Sequence, residues 1–210
     1  MPFCPLCRSD AIRHFVDVGV QTYWRCDTCQ MTFLDPAQRP NRDVERAHYD
    51  SHENDPDDPG YRRFLSKVSG PVIDRTTRGA CGIDFGCGPG PALIAVLREA
   101  GLDVVGYDPQ YRPDASVLER KYDFVTCTEV VEHLHDPART FSTLFGLLKP
   151  SGLLAVMTCF QTDDDRFASW HYRADPTHVC FYRAKTMGWI AQHFGAELTI
   201  PIKDVALFQV

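Results

Sequence analysis

No stretch of this chain is apolar for long enough to cross a membrane, and the N-terminus, Met1 to Cys4, has no apolar core of the kind a secretory leader needs. Basic residues are in the minority: 22 Lys and Arg against 28 Asp and Glu give a net charge of −6 and a pI near 5.7, which excludes a broad cationic surface for nucleic acid. There is no internal repeat and no low-complexity tract. What remains is a 210-residue chain with 44% hydrophobic residues, enough for one full-sized α/β core and a small additional module. The nine cysteines are an odd number and two pairs have metal-ligand spacing, so we expect a reducing, cytoplasmic setting.

The first module is read from Cys4-x-x-Cys7 and Cys26-x-x-Cys29, with eighteen residues between the pairs. Four thiolates at this spacing can surround one zinc ion tetrahedrally. Ile12 to Val18 and Thr22 to Arg25 suggest two short strands joined near Gly19, a zinc ribbon over residues 1–40. Such a segment cannot build an adequate core alone, and the metal would supply the missing folding energy. A pair of redox dithiols or disulfides is the alternative. Four arginines balance four aspartates in this module, so it makes a poor phosphate binder and is expected to dock or to support structure.

Residues 41–78 read as linker and lid: a short helix over Arg42 to Tyr49, a loop over Asn54 to Gly60, and a helix from Tyr61 to Val68. The catalytic part, 79–210, is organised around Ile83-Asp84-Phe85-Gly86-Cys87-Gly88-Pro89-Gly90, where a strand turns through glycines into a helix beginning near Pro91. Such a turn lets the backbone approach a ligand and aims free N–H groups at it. The spacing is not that of the dinucleotide fingerprint, and the acidic Asp84 suits a ligand carrying an ammonium group rather than a bare phosphate.

Asp84 to Gly90 resembles motif I of the class I S-adenosyl-L-methionine (SAM)-dependent methyltransferases. The resemblance continues, in order, through Val104 to Asp108, Tyr122 to Glu129 and Leu147 to Val156. It implies a Rossmann-like α/β fold with a mostly parallel sheet and an antiparallel last strand. It also implies SAM as cofactor, held by Asp84, Phe85, Gly86, Cys87, Gly88, Gly90, Asp108, Thr128 and Glu129. Asp108 would take the ribose hydroxyls; a turn-capping role is its alternative. In such enzymes segments ahead of motif I fold over the site, which makes Tyr49, His52 and Tyr61 lid candidates or else packing anchors. The chain departs from the family between Asp108 and Asp123: fourteen residues are too few for the usual helix and strand. At most one short strand is expected there, near Ser116 to Leu118. Asp114 and Tyr111 are the candidates for adenine.

Past the strand Phe124 to Thr128 stands Glu129-Val-Val-Glu132-His133. Spacing i, i+3, i+4 would set Glu129, Glu132 and His133 on one side of a helical turn. With His178 they resemble the sets in ubiquinone-pathway catechol O-methyltransferases and small-RNA 3′-terminal 2′-O-methyltransferases, where a divalent cation such as Mg²⁺ binds vicinal hydroxyls. The alternative is a metal-free site in which the glutamates cap or line the pocket. His133 or His178 would then be the general base. The insert Gln161 to Arg173 is either substrate cover, through Trp170, His171, Tyr172 and Arg173, or a surface loop pinned by Trp170; Asp163 to Asp165 reads as solvated. The expected function is SAM-dependent methyl transfer to a small-molecule acceptor, at a hydroxyl oxygen, with His133, His178 and Glu129 as catalytic candidates. The alternatives are an RNA methyltransferase whose ribbon reads RNA, and a non-catalytic SAM-binding adaptor. No membrane partner is expected.

Overall fold

The computed structural model describes residues 2–49 and 57–210, without the side chains of Arg42 and Tyr49. The lid candidates Tyr49 and His52 and the start of the loop expected from Asn54 therefore lie outside the described side chains. No helix among the described residues is long and apolar enough to cross a membrane.

Two sheets build the fold. The smaller begins with the hairpin β1 (Ile12–Val18) and β2 (Gln21–Cys26), turned at Gly19, and adds β3 (Thr32–Leu34). Each CxxC pair forms the same knuckle. Arg8 N–H donates to the Cys4 carbonyl at 3.0 Å and Gln30 N–H to the Cys26 carbonyl at 2.9 Å, and both donors sit in the left-handed region at φ 62°. The ribbon's edge, β3, pairs antiparallel with β8 (Cys180–Phe181), a strand from far along the chain. One continuous apolar cluster runs from Tyr23, Met31 and Phe33 to Phe141, Phe181 and Tyr182. Fusing the sheets buries ribbon side chains that a free-standing module of this size would leave wet.

Between the sheets' sequences come α1 (Arg42–Tyr49) and α2 (Pro59–Ile73). α2 starts where Asp58 accepts from Gly60 N–H at 2.5 Å and Tyr61 N–H at 3.1 Å, with Pro59 in the first turn, where its missing N–H costs nothing. It buries Leu65, Val68 and Val72 and so continues past Val68, through Gly70 and Pro71, because packing outweighs the two breakers.

The larger sheet has β4 (Cys81–Phe85), β5 (Asp103–Tyr107), β6 (Tyr122–Thr128), β7 (Leu148–Met157), β9 (Glu197–Ile202) and β10 (Val205–Gln209) in the order β5-β4-β6-β7-β10-β9. β5, β4, β6 and β7 are parallel, and β10 runs antiparallel to both β7 and β9. Helices α3 (Ala92–Glu99), α4 (Pro137–Gly146), α5 (His171–Ala174) and α6 (Ala184–Phe194) complete the chain. Gly82 is fixed by packing: a Cβ there would stand 2.1 Å from the Phe124 ring.

Three local features add to the expectations. The strand expected near Ser116 is a 3₁₀ turn, Ala115–Glu119, capped by Asp114 accepting from Ser116 N–H at 3.0 Å, so the sheet ends at β5. Lys149 to Gly152 lies within β7 as a bulge opposite β6, with Ser151 at φ 60°. The Asp163 to Asp165 run is not simply solvated. Asp164 accepts from Arg25 at 2.9 Å and from Arg183 at 3.0 Å, which secures the insert to the ribbon.

Candidate active site

The carboxyl ends of β4, β5, β6 and β7 meet along one edge, the place where open parallel sheets carry their ligands. Asp84, at the end of β4, is 4% exposed and accepts one hydrogen bond, from Thr126 Oγ1 at 2.7 Å. Burial lifts its carboxyl to about 6; Thr126 opposes the rise and Asp108 adds to it. Gly86 follows at φ 78°, and a Cβ there would meet Val130 Cγ2 at 2.4 Å, so only glycine lets the turn pass under the loop after β6. Pro91, at the N-cap of α3, offers no side-chain cap to the first turn, whose first N–H, that of Ala92, donates to the Gly90 carbonyl.

Asp108 is buried and accepts from Gly88 N–H at 3.1 Å, Gln110 N–H at 2.8 Å and Tyr111 N–H at 3.0 Å. Its carboxylate thus ties the end of β5 to the glycine turn. Phe85 packs on Tyr107 with ring centroids 5.2 Å apart, and Cys87 Sγ would be 2.8 Å from a Cβ on Gly106. Burial first, then Asp84 and Asp108, push the Cys87 thiol up to about 12, so it stays protonated. Thr128 Oγ1, at the end of β6, is buried without a partner. Gly90 lies in the turn, its carbonyl accepting from Ala92 N–H at 2.8 Å. Of the adenine candidates, Asp114 is engaged as the 3₁₀ cap, and Tyr111 supplies its N–H to Asp108.

A second cluster lies past β6. Ligand atoms of Glu132, His133 and His178 lie within 4.8 Å of one another. Glu132 is fully buried; Thr158 Oγ1 donates to its Oε2 at 2.8 Å, and its Oε1 has no hydrogen-bond partner among the described residues. His133 Nδ1 donates to the Thr177 carbonyl at 3.2 Å, turning Nε2 toward Glu132 Oε1 at 3.8 Å. His178 Nδ1 donates to the Tyr172 carbonyl at 2.6 Å, and its ring stands 4.6 Å from that of His133. Each imidazole is therefore oriented through Nδ1 by a backbone carbonyl, the pattern by which metal-ligating histidines are held, and His178 Nε2 stands 3.8 Å from Asp175 Oδ2. Burial pushes His178 down from its ordinary value, against the pull of Glu132, and keeps it neutral. Burial likewise raises Glu132, with His178 opposing.

Glu129 stands apart from this set. Its φ of 51° turns the chain, and only Val131–His133 form a 3₁₀ turn, so the helical spacing that would align it with Glu132 does not exist. Tyr172 Oη donates to Glu129 Oε2 at 3.3 Å, and Glu129 lines a cavity of about 290 Å³ with Phe64, Lys67, Cys159, Tyr172 and Lys203. Burial, then Glu132, push its carboxyl up to about 9, which favours the protonated form. A larger cavity of about 360 Å³, lined by Cys81, Asp103, Arg120 and Lys149, lies at the opposite end of the strands, away from both clusters.

Tyr61 is half-buried, stacked on Phe64 with ring centroids 6.4 Å apart, and its hydroxyl is pushed up by burial and by Asp84 and Glu129. Within the insert, Trp170 packs on Phe167, Phe181 and Tyr172, and Arg173 reaches Gln21 and Tyr23 of the ribbon. His171 and Tyr172 line the 290 Å³ cavity. Thr126, Thr158 and Lys67 carried no signal in the sequence. They reach the site only because adjacent strands and α2 converge there.

The four ribbon thiols have Sγ atoms within 4.8 Å of one another, with Cys4–Cys29 at 3.5 Å and Cys7–Cys26 at 3.4 Å, and all nine cysteines are free thiols. A tetrahedral zinc with bonds of about 2.3 Å needs edges of about 3.8 Å, which this set meets with small adjustments.

Strand order, the antiparallel β10 and the glycine turn between β4 and α3 define the class as a Rossmann-like α/β methyltransferase fold. The chain belongs to the SAM-dependent methyltransferases: a family model described as a methyltransferase domain matches residues 58–199. Among curated relatives, the ubiquinone biosynthesis O-methyltransferase of Bordetella avium (strain 197N) is 27% identical over 61% of this chain and 67% of the relative. That of Saccharophagus degradans is 35% identical over 36% of this chain and 33% of the relative. The chain thus spans between a third and two thirds of these relatives' length. Among solved structures, the Burkholderia thailandensis 1,6-didemethyltoxoflavin-N1-methyltransferase, with bound 1,6-didemethyltoxoflavin and S-adenosylhomocysteine, aligns over 93% of this chain and 97% of its own, with a TM-score of 0.57 and 15% identity. The magnesium protoporphyrin IX methyltransferase of Synechocystis PCC 6803, with bound S-adenosylhomocysteine, covers 80% of this chain and 91% of its own, with a TM-score of 0.51 and 17% identity. At these identities the likeness is one of fold.

Proposed function

We propose that this chain transfers the methyl group of SAM to a hydroxyl oxygen of a small-molecule acceptor. The acceptor would be held beside a divalent cation at Glu132, His133 and His178. The single observation that carries the acceptor side is Glu132 Oε1: a fully buried carboxylate oxygen with no hydrogen-bond partner among the described residues, clustered with two imidazoles whose Nδ1 atoms are already engaged. An orphaned buried carboxylate oxygen is costly, and a cation would satisfy it.

On the donor side, Asp84 would receive the ammonium of the aminoacyl group and Asp108 the ribose hydroxyls. The glycine turn at Phe85 to Gly90 would lie under the chain of the cofactor, and Thr128 would use its orphaned Oγ1. Asp108 keeps the capacity to accept further hydrogen bonds, since a carboxylate has about four lone-pair sites and three are used here. For the reaction, the acceptor oxygen attacks the methyl carbon in line. The carbon–sulfur bond breaks with its electron pair going to sulfur, and the hydroxyl proton leaves to a base. With a cation on the triad both imidazoles are ligands and the proton leaves to solvent water; in a metal-free site His133 or His178 would take it. A cation bound by the triad would lower the hydroxyl pKa and orient the oxygen. Tyr61 and α2 would exclude water. Most of the rate would come from positioning, because the sulfonium is already a good leaving group.

The four-cysteine set would hold a structural zinc ion. The test combines calorimetry with S-adenosylhomocysteine and radiolabelled methyl transfer to catechol and to phenol, with and without Mg²⁺. We expect cofactor binding, and transfer that favours the vicinal diol and falls on cation removal. Absence of cofactor binding by the zinc-loaded protein would overturn the donor side. Equal, cation-independent rates on the two acceptors would overturn the acceptor side.

A further inference from the structure

The ribbon grips the two loops that carry the acceptor cluster. Val179, next to His178, donates its N–H to the Glu132 carbonyl at 2.9 Å, so both loops are joined to each other by backbone. The carbonyl of Val179 accepts from Leu34 N–H of the ribbon at 2.9 Å, and β3 then runs on as the partner of β8, Phe33 opposite Cys180 and Thr32 opposite Phe181. The loop after His133 is held from the same side: Arg39 donates to the His135 carbonyl at 2.8 Å, Arg8 pairs with Asp136 at 2.5 Å, and Ala138 N–H donates to the Pro5 carbonyl at 3.4 Å. Thr32 Oγ1 donates to Gln161, and Arg173, beside Tyr172, donates to Gln21. Among the described residues, no hydrogen bond between the ribbon and the rest of the chain reaches β4, β5 or the glycine turn.

β3 has only three residues, and it follows Cys29 after a two-residue step. Its position is set by the knuckle: Cys26 N–H donates to the Met31 carbonyl at 3.0 Å. A three-residue strand has little stability of its own, so what fixes the cysteines fixes the strand.

We propose that the four-cysteine centre is a positioning device for the acceptor cluster: metal bound by Cys4, Cys7, Cys26 and Cys29 locks β3, β3 locks the loops of Glu132, His133 and His178, and the donor corner is independent of it. The ribbon is thus a wall of the acceptor site rather than a recognition module for a second macromolecule. The inference rests on the four thiols holding a metal ion, and is indifferent to whether the acceptor cluster does.

Hydrogen exchange of the full-length chain tests it, in buffer free of Mg²⁺, before and after metal is removed from the thiols by a chelator and in Cys7→Ser. Cys7 is the one partly exposed member of the set. Cobalt substitution first checks the metal itself, through the thiolate charge-transfer bands of a tetrahedral four-sulfur site. After metal removal, peptides spanning 130–136 and 176–182 should exchange more than ~10-fold faster, while peptides of β4 and β5 change less than ~2-fold. Affinity for S-adenosylhomocysteine should stay within about threefold, a split that a merely global role would not produce. Unchanged protection at 176–182 would overturn the inference, and so would uniform loss across both regions. Absence of the cobalt bands would overturn it at its premise. If Cys7→Ser does not fold, chelator titration of the native chain gives the same readings.

Discussion

Replacing Asp84 by asparagine should stabilise the ligand-free protein while weakening its hold on the methyl donor. Asp84 is almost fully buried, has one hydrogen-bond donor, Thr126, and is raised to about 6 from an ordinary 3.8. A carboxyl whose folded value lies above its unfolded value opposes folding once it must ionise. The cost is absent below the unfolded value, grows as pH rises from about 4 to 6, and is constant above that. At 1.36 kcal/mol per unit the full cost is about 3 kcal/mol at pH 7.5, falling to about 1.5 kcal/mol at pH 5. An asparagine side chain would keep an acceptor for Thr126 and remove the charge, so urea unfolding should show Asp84→Asn more stable by about 2–3 kcal/mol at pH 7.5, with the gap narrowing toward pH 4. S-adenosylhomocysteine affinity should fall about 10- to 100-fold, the worth of a hydrogen bond to a charged group. A variant less stable than the parent at pH 7.5, or a gap that does not change with pH, would refute the reasoning. An unchanged affinity would remove Asp84 from the donor site.

Four further outcomes are expected. Mg²⁺ at 100-fold over its dissociation constant should stabilise the parent by about 2.7 kcal/mol and should leave Glu132→Gln unmoved, as read by thermal unfolding with added salt matched. That Mg²⁺ effect should fade as pH drops, because Glu132 and the imidazoles take up protons, and a pH-independent shift would mean the ion binds elsewhere. Gly86→Ala must place a Cβ against Val130 with φ in the left-handed region, and should lose about 2–5 kcal/mol in urea unfolding. Tyr172→Phe removes the hydroxyl shared by Glu129 and Thr158 and should cost about 1–2 kcal/mol, with a lowered turnover number rather than a changed donor affinity.

Elements whose signal is local were legible in the residues alone. A glycine run between an apolar strand and a helix announces the turn from β4 into α3, since only glycine tolerates φ of 78° under Val130. Two CxxC pairs announce the knuckles, because the spacing is the geometry. The short interval after Asp108 announces a truncated sheet, and only the form of the connection, a 3₁₀ turn, had to be seen. The acceptor side came from long-range packing. His178 lies forty-five residues from His133 in the chain, and the two rings meet only because β8 is pulled in against the ribbon. Glu129 was lost from the cluster to one left-handed residue, a conformation its side chain does not advertise. The ribbon's partner was hidden for the same reason: β8 is two residues long, too short for any periodicity, and it is a strand only because β3 lies beside it. Pairing between distant segments costs chain entropy and is offset by buried area, and neither quantity can be read from a local run of residues.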